Sequence, residues 1–394
     1  MLLNKMKRFF ILAAAVFATF SWLQADSFSL VFQQSGTNNL FQNISEEPDQ
    51  ISALGFSLEK GFSPFSIFTQ GQYSLLLQNP GLSLYSHDLG LDFLHVLSGK
   101  TALHLTAGLR GDFYRSDYRD FNSISLHMES SVKSYLSPSS ILQAGYVLNY
   151  RKYRLSGFDY VSHQFSLAVD KHFRTQTTLK GEVDWGFKSF LHPFLPQNTP
   201  PLPEVPEGQK GKGHGFAHMN NPQIFFPEGR ETLQDFHLQV LSFKGQVAQS
   251  ISSLIGLKVS GLKQWTLSGR NPYTTVEEYY LIENPSYDRF SWSGYILEAL
   301  ITLLAPGDIQ TELVYSSAVR TFPGIESLDS EGLPTGMDRR DRKNQFKVNL
   351  QKDFSRFSIH LSFVHIWNNS NDPFFKWGGN YLSAGIQWNM FFGK

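Results

Sequence analysis

Apolar and polar side chains alternate residue by residue along almost the whole chain, and a run of period two is the signature of a β-strand with one greasy and one wet face. Leu103, Leu105, Ala107 and Leu109 are interleaved with His104, Thr106, Gly108 and Arg110. Leu179, Val183, Trp185 and Phe187 are interleaved with Lys180, Glu182, Asp184 and Lys188. An i, i+3, i+4 stripe, which an amphipathic helix needs, is hard to find anywhere. We count sixteen alternating segments after Asp26, with fourteen and eighteen as the neighbouring solutions.

Such a chain can bury its apolar faces in two ways. A sandwich or propeller stacks them against a second sheet and uses short strands at regular spacing. A membrane barrel turns them to lipid and closes the sheet, because hydrocarbon offers no partner for an edge. The connections decide between them. Links after even-numbered segments are short: 60–64, 98–100, 137–139, 174–176, 249–252, 305–308 and 353–356. Links after odd-numbered segments are longer: 35–50, 78–86, 115–120, 152–159, 190–232, 264–289, 321–343 and 367–380. Rotation of short turns and long loops belongs to an up-and-down barrel with one end in each compartment. The fold expected is therefore all-β, a single antiparallel up-and-down transmembrane barrel over 26–394. Composition agrees. Charged residues are 17% of the chain, below the usual quarter, while aromatics reach 15% with 35 Phe. Tyr150, Tyr153, Trp185, Phe187, Phe190, Trp265, Tyr295, Tyr315 and Trp388 fall toward segment ends, where interfacial girdles sit.

Residues 1–25 read as a secretory signal peptide, with Lys5, Lys7 and Arg8 before the apolar stretch Phe9 to Phe20 and a cleavage residue at Ala25. No later segment is apolar enough for a helical span: the best, Tyr295 to Leu304, contains Glu298. Signal peptide, strand period, loop rotation and aromatic final segment together resemble the porin-like β-barrels of the Gram-negative outer membrane, over essentially all of 26–394. No motif narrows the resemblance to one family. It implies integral outer-membrane localisation, contact with membrane lipid, and delivery by the barrel-assembly machinery. The chain ends Met390-Phe391-Phe392-Gly393-Lys394, so its last aromatic stands two residues before the end, where the class commonly finishes on one. Both termini are expected in the periplasm.

If the apolar faces meet lipid, the opposite faces line the interior. These carry the acids Glu59, Asp88, Asp92, Asp112, Glu129, Asp170, Glu182, Asp184, Glu298 and Glu312. They carry the bases Arg110, Lys133, Arg151, Lys180, Lys188, Lys258 and Lys347. A bore of this size and mixed charge is wet and suits passive passage of small polar solutes. The alternative is a loop-filled barrel acting as surface receptor or adhesin, or as a component of an export complex. The long extracellular loop 190–232, with Pro193, Pro196, Pro200, Pro201, Pro203 and Pro206 ahead of Gly208, Gly211, Gly213 and Gly215, could constrict or cap the pore.

Other chemistry has little to stand on. Lys+Arg and Asp+Glu are balanced at 34 each, which gives nucleic acid nothing to bind. There is no cysteine, and His192, His214 and His218 lie in a loop without the convergent geometry of a metal site. No G-x-S-x-G or phosphate-cradling motif is present, and pairs such as Asp235 with His237 are too common to mark catalysis. No catalytic residue, metal ligand or cofactor is assigned.

Overall fold

The computed structural model describes residues 26–154, 159–191, 237–271 and 288–391. The leader, most of the 190–232 loop with its histidines, Asp235, and the end from 392 lie outside the described residues. Sixteen strands follow one another: β1 Ser27–Thr37, β2 Asp49–Phe62, β3 Phe65–Leu76, β4 Leu84–Ser98, β5 Thr101–Tyr114, β6 Ser123–Ser137, β7 Ser140–Tyr153 and β8 Tyr160–His172. The second half comprises β9 Thr177–Phe190, β10 His237–Ser250, β11 Ile255–Gly269, β12 Ser293–Ala305, β13 Ile309–Leu328, β14 Pro334–Asp353, β15 Phe357–Ser370 and β16 Trp377–Phe391. Each pairs antiparallel with its neighbours in sequence, and β1 pairs with β16, so the ring closes with no free edge. At 11 to 20 residues the strands reach or exceed the roughly 9–11 needed to cross hydrocarbon at a tilt.

The register fixes which side chains share a face. On the outer face Leu91, Leu109, Leu167, Val259, Leu297 and Leu382 each keep half or more of their surface exposed. An apolar belt running round the whole circumference would drive aggregation in water; facing acyl chains it costs nothing. Trp185, Trp265, Tyr295 and Trp367 stand in this outer face toward the long-loop end, where aromatic rings suit the headgroup level, whereas Tyr315, beside the central Ala299, stands at mid-membrane height. No described helix is long and apolar enough to cross a membrane.

Two expectations need correction. In β10 the apolar row assigned to the outside, Leu238 and Val240, lies inside and is fully buried, and Leu241, Phe243 and Val247 form the outer row instead. A bulge between Gln239 and Val240 sits where β10 meets β11, and there Gly269, at φ 91°, comes so close to the His237 carbonyl that a Cβ would fall 1.5 Å from its oxygen. The second correction concerns 321–343, read as a loop. It is mostly a continuation of the β13–β14 hairpin, closed by a short turn at Asp329–Leu333.

The long-loop end is tied together by buried polar groups. Asp49, 1% exposed, accepts the backbone N–H groups of Gln50, Leu77, Gln78 and Asn79 and the Asn79 amide. It thereby staples the β3–β4 connection to the start of β2. The Ile44 N–H donates to the Phe374 carbonyl at 3.0 Å and Asn39 Nδ2 to the Gly378 carbonyl at 3.1 Å, joining the first loop to the last. Asp372 accepts from the backbone of Leu328 and Phe374, and burial pushes its carboxyl above the ordinary carboxylate range. Asp49→Ala strands the Gln78 and Asn79 N–H groups, while Leu77 keeps the Gln50 carbonyl, so it is expected to destabilise this end by about 1–3 kcal/mol. Thermal unfolding in detergent, alongside Asp49→Asn as the milder variant, measures the loss.

Candidate functional site: the inner wall

The inner face is where the charge is. Register carries all seventeen charged residues of the sequence reading onto the face opposite the Leu, Phe and Val rows. Asp92 stands beside Thr106, which stands beside Glu129; Asp88 faces Arg110; Asp170 faces Lys180; and Glu182 faces Lys244. Glu298 lies beside Ser260, Glu312 between Thr302 and Asn349, and Lys347 beside Val314. This face is the concave one, because the loop segment Asp288–Trp292 rests upon it across β9 to β11.

Some of these groups come together. Asp112, 5% exposed, accepts two hydrogen bonds from Arg110 at 3.0 and 3.1 Å, one from Ser86 at 2.7 Å, and a short one from Arg151, whose Nε donates to Ser123. One buried carboxylate is thus held by two guanidinium groups from β5 and β7. Lys180 pairs with Glu182 at 3.1 Å, Lys258 with Glu298 at 3.4 Å, and His104 approaches Asp92 at 3.4 Å. Asp184 accepts from Gln164 and Ser242, both at 3.2 Å. Glu312 accepts from Gln310 and Asn349, both at 3.1 Å. Asp88 accepts from Gln70 at 3.4 Å. Glu59, Glu129, Lys133, Asp170 and Lys347 make no ion pair among the described residues.

Lys188 is a special case. It lies on the inner face but only 1% exposed, with Nζ 3.1 Å from Asp288, 4.0 Å from the Tyr160 ring centroid and 5.1 Å from that of Phe190. What covers it is the Asp288–Trp292 segment. Phe290 completes an apolar cluster with Tyr153, Tyr160, Phe190, Leu238 and Val240, and it sits over Gly186, where a Cβ would meet its ring at 2.9 Å. Tyr153 and Phe190, placed in the girdle by sequence, belong to this inner cluster. Gln264 Nε2 donates to the carbonyls of Arg289 at 2.6 Å and Trp292 at 2.5 Å, and Asn271 donates to those of Ser291 and Pro323. Arg289 reaches Asp184 at 3.5 Å. The segment is therefore bonded to the wall along its length.

Sequence reasoning missed Lys244, Arg320, Arg339, Asp341 and Lys343, all on the inner face by register. Arg339 pairs with Asp341 and lies flat on the Phe375 ring, 3.4 Å from its centroid. The signal is present in the sequence: 339, 341 and 343 share the parity of Lys347, but the stretch lacks the apolar alternation that marks a strand.

A closed antiparallel ring of sixteen strands, greasy outside and charged inside, defines an integral outer-membrane β-barrel of the porin-like class. A solved structure shares this fold. CdiB from Acinetobacter baumannii matches with a TM-score of 0.51 at 8% identity, over 92% of this chain and 60% of CdiB. The outer membrane protein OpdK from Pseudomonas aeruginosa matches at 0.47 and 8% identity, over 92% of this chain and 98% of its own. OccAB4 from Acinetobacter baumannii matches at 0.47 and 10% identity, over 93% and 98%. At these identities the likeness concerns fold. No family model matches the chain, and no curated protein matches it in sequence.

Proposed function

We propose that the mature barrel is a passive channel for small polar solutes across the outer membrane. The observation that carries this reading is the direction of the inner ion pairs. Asp112 with Arg110 and Arg151, Lys180 with Glu182, Lys258 with Glu298, and Arg339 with Asp341 each join residues of one strand or of nearby strands, flat against the wall. None of these pairs crosses the bore. Charges held this way leave the axis to water, and a ring of 16 strands is wide enough for an aqueous path. Many of them stay solvated: Arg110, Lys180, Lys258 and Glu298 keep 30–48% of their side chains exposed.

The same reading assigns a leader removed near Ala25, delivery by the barrel-assembly machinery, and both termini on the periplasmic side. Closure of β1 on β16 brings Ser27 and Phe391 together at the short-turn rim, which supports that orientation. The wall residues act by charge and hydrogen bonding, and no catalysis is assigned to them. The full-length barrel reconstituted in a planar bilayer is expected to give stable, ohmic single-channel steps in KCl. Silence from correctly folded protein would overturn the channel and favour a barrel whose outer loops do the work.

A further inference from the structure

Resting on the channel reading, we propose that Arg289 is the residue that sets the ionic selectivity of the pore. The segment Asp288–Trp292 occupies part of the bore on the β9 to β11 side, so solutes pass between it and the wall opposite. In a ring of sixteen, β9 and β10 stand eight strands from β1 and β2. The inner faces there present Val31, Gln33 and Ser35 on β1 and Ala53, Gly55 and Ser57 on β2, all uncharged. The wall directly opposite therefore adds no fixed charge, while on the flank Arg320 stacks 4.7 Å from the Trp292 ring centroid and reinforces the positive side.

Directly beneath the segment the charge is hidden. Lys188 and Asp288 face one another with 1% and 4% of their side chains exposed, and Asp184 keeps 6%. Arg289 keeps 32%. Its carbonyl is pinned by Gln264, its neighbour Phe290 is seated on Gly186, and its guanidinium leans on Asp184. The group that lumen water meets is thus a cation, carried by a backbone that cannot swing away. The Asp184 carboxylate lies behind it and is already shared with Gln164 and Ser242. A fixed positive group in a confined, low-dielectric passage raises the local concentration of anions and lowers that of cations. Arginine is suited to the place, since its charge persists at any physiological pH and its planar fork can hold Asp184 while donating outward.

Reversal potentials of the full-length barrel under a KCl gradient test this. Arg289→Glu is expected to lower the chloride-to-potassium permeability ratio by about threefold or more, as a local potential of a few kT implies. Arg289→Lys keeps the ratio near wild type, and Asp184→Asn, which uncovers the guanidinium, moves it the opposite way. Lys258→Gln, a pore-wall cation far from the segment, serves as comparison and shifts the ratio less than Arg289→Gln. Channels that conduct in every variant with an unchanged ratio in Arg289→Glu overturn the assignment and leave the channel standing. A wild-type barrel that folds but passes no current overturns both.

Discussion

Arginine in place of Val259 is expected to destabilise the barrel by about 2–4 kcal/mol, the range for a cation on the lipid face near the bilayer midplane. Arginine at the very next residue, Ser260, should cost no more than about 0.5 kcal/mol. The difference follows from the pleat. Val259 lies on the outer face of β11, half exposed, between Val247 and Ala299, the central residue of β12. Its surroundings on three strands are hydrocarbon-like, and a guanidinium there must snorkel or drag water inward. Ser260 points the other way, between Gln246 and Glu298, where a cation finds water and a carboxylate. Urea unfolding of barrels folded into phospholipid vesicles measures both. Equal losses at the two positions would place both faces in the same solvent and remove the membrane assignment.

This alternation is what made the fold legible. Every strand except β10 carries its apolar row on the face the sequence indicates, because hydrocarbon imposes one rule on every outward position and water imposes another inside. The misreadings share a cause: they lie where the wall leaves the membrane. Leu238 and Val240 look like lipid contacts, yet they serve as the floor for Phe290, a residue far away in sequence that nothing local announces. Tyr153 and Phe190 were misplaced for the same reason. The β13–β14 hairpin continues past the membrane with Arg339, Asp341 and Lys343 inside and Arg340 and Arg342 outside. At that height the outer face meets water while the inner face buries an ion pair against Phe375, so apolar alternation vanishes although the ladder persists. The seventeen inner charges were readable from parity, whereas the partners they choose were not. Asp112 takes Arg151 from two strands away and Asp184 takes Arg289 from a loop, and such choices depend on register and on where loops land.

The strongest test of that landing is Asp288→Ala, which should loosen the segment by about 3–5 kcal/mol, the usual result of removing one partner from a buried ion pair. Asp288 does three things at once. It accepts the Phe290 N–H at 3.0 Å and the Ser291 hydroxyl at 2.6 Å, which shapes the turn, and it faces Lys188 at 3.1 Å. Alanine leaves both donors without their acceptor and takes the anion from a lysine surrounded by Tyr160 and Phe190. Lys188→Met is a gentler change, about 1–3 kcal/mol, because Asp288 retains its two local donors and the thioether fills the gap between the rings. The double variant should lose less than the sum of the two, since with both charges gone neither is left buried alone. Hydrogen exchange at the Phe290 and Ser291 amides reports the local opening free energy directly. Strictly additive losses, or an Asp288→Ala cost no greater than that of Lys188→Met, would mean that the segment is held by Phe290 and Gln264 alone. Arg289 would then owe its place in the bore to packing, and the pair beneath it would be a passive consequence of burial.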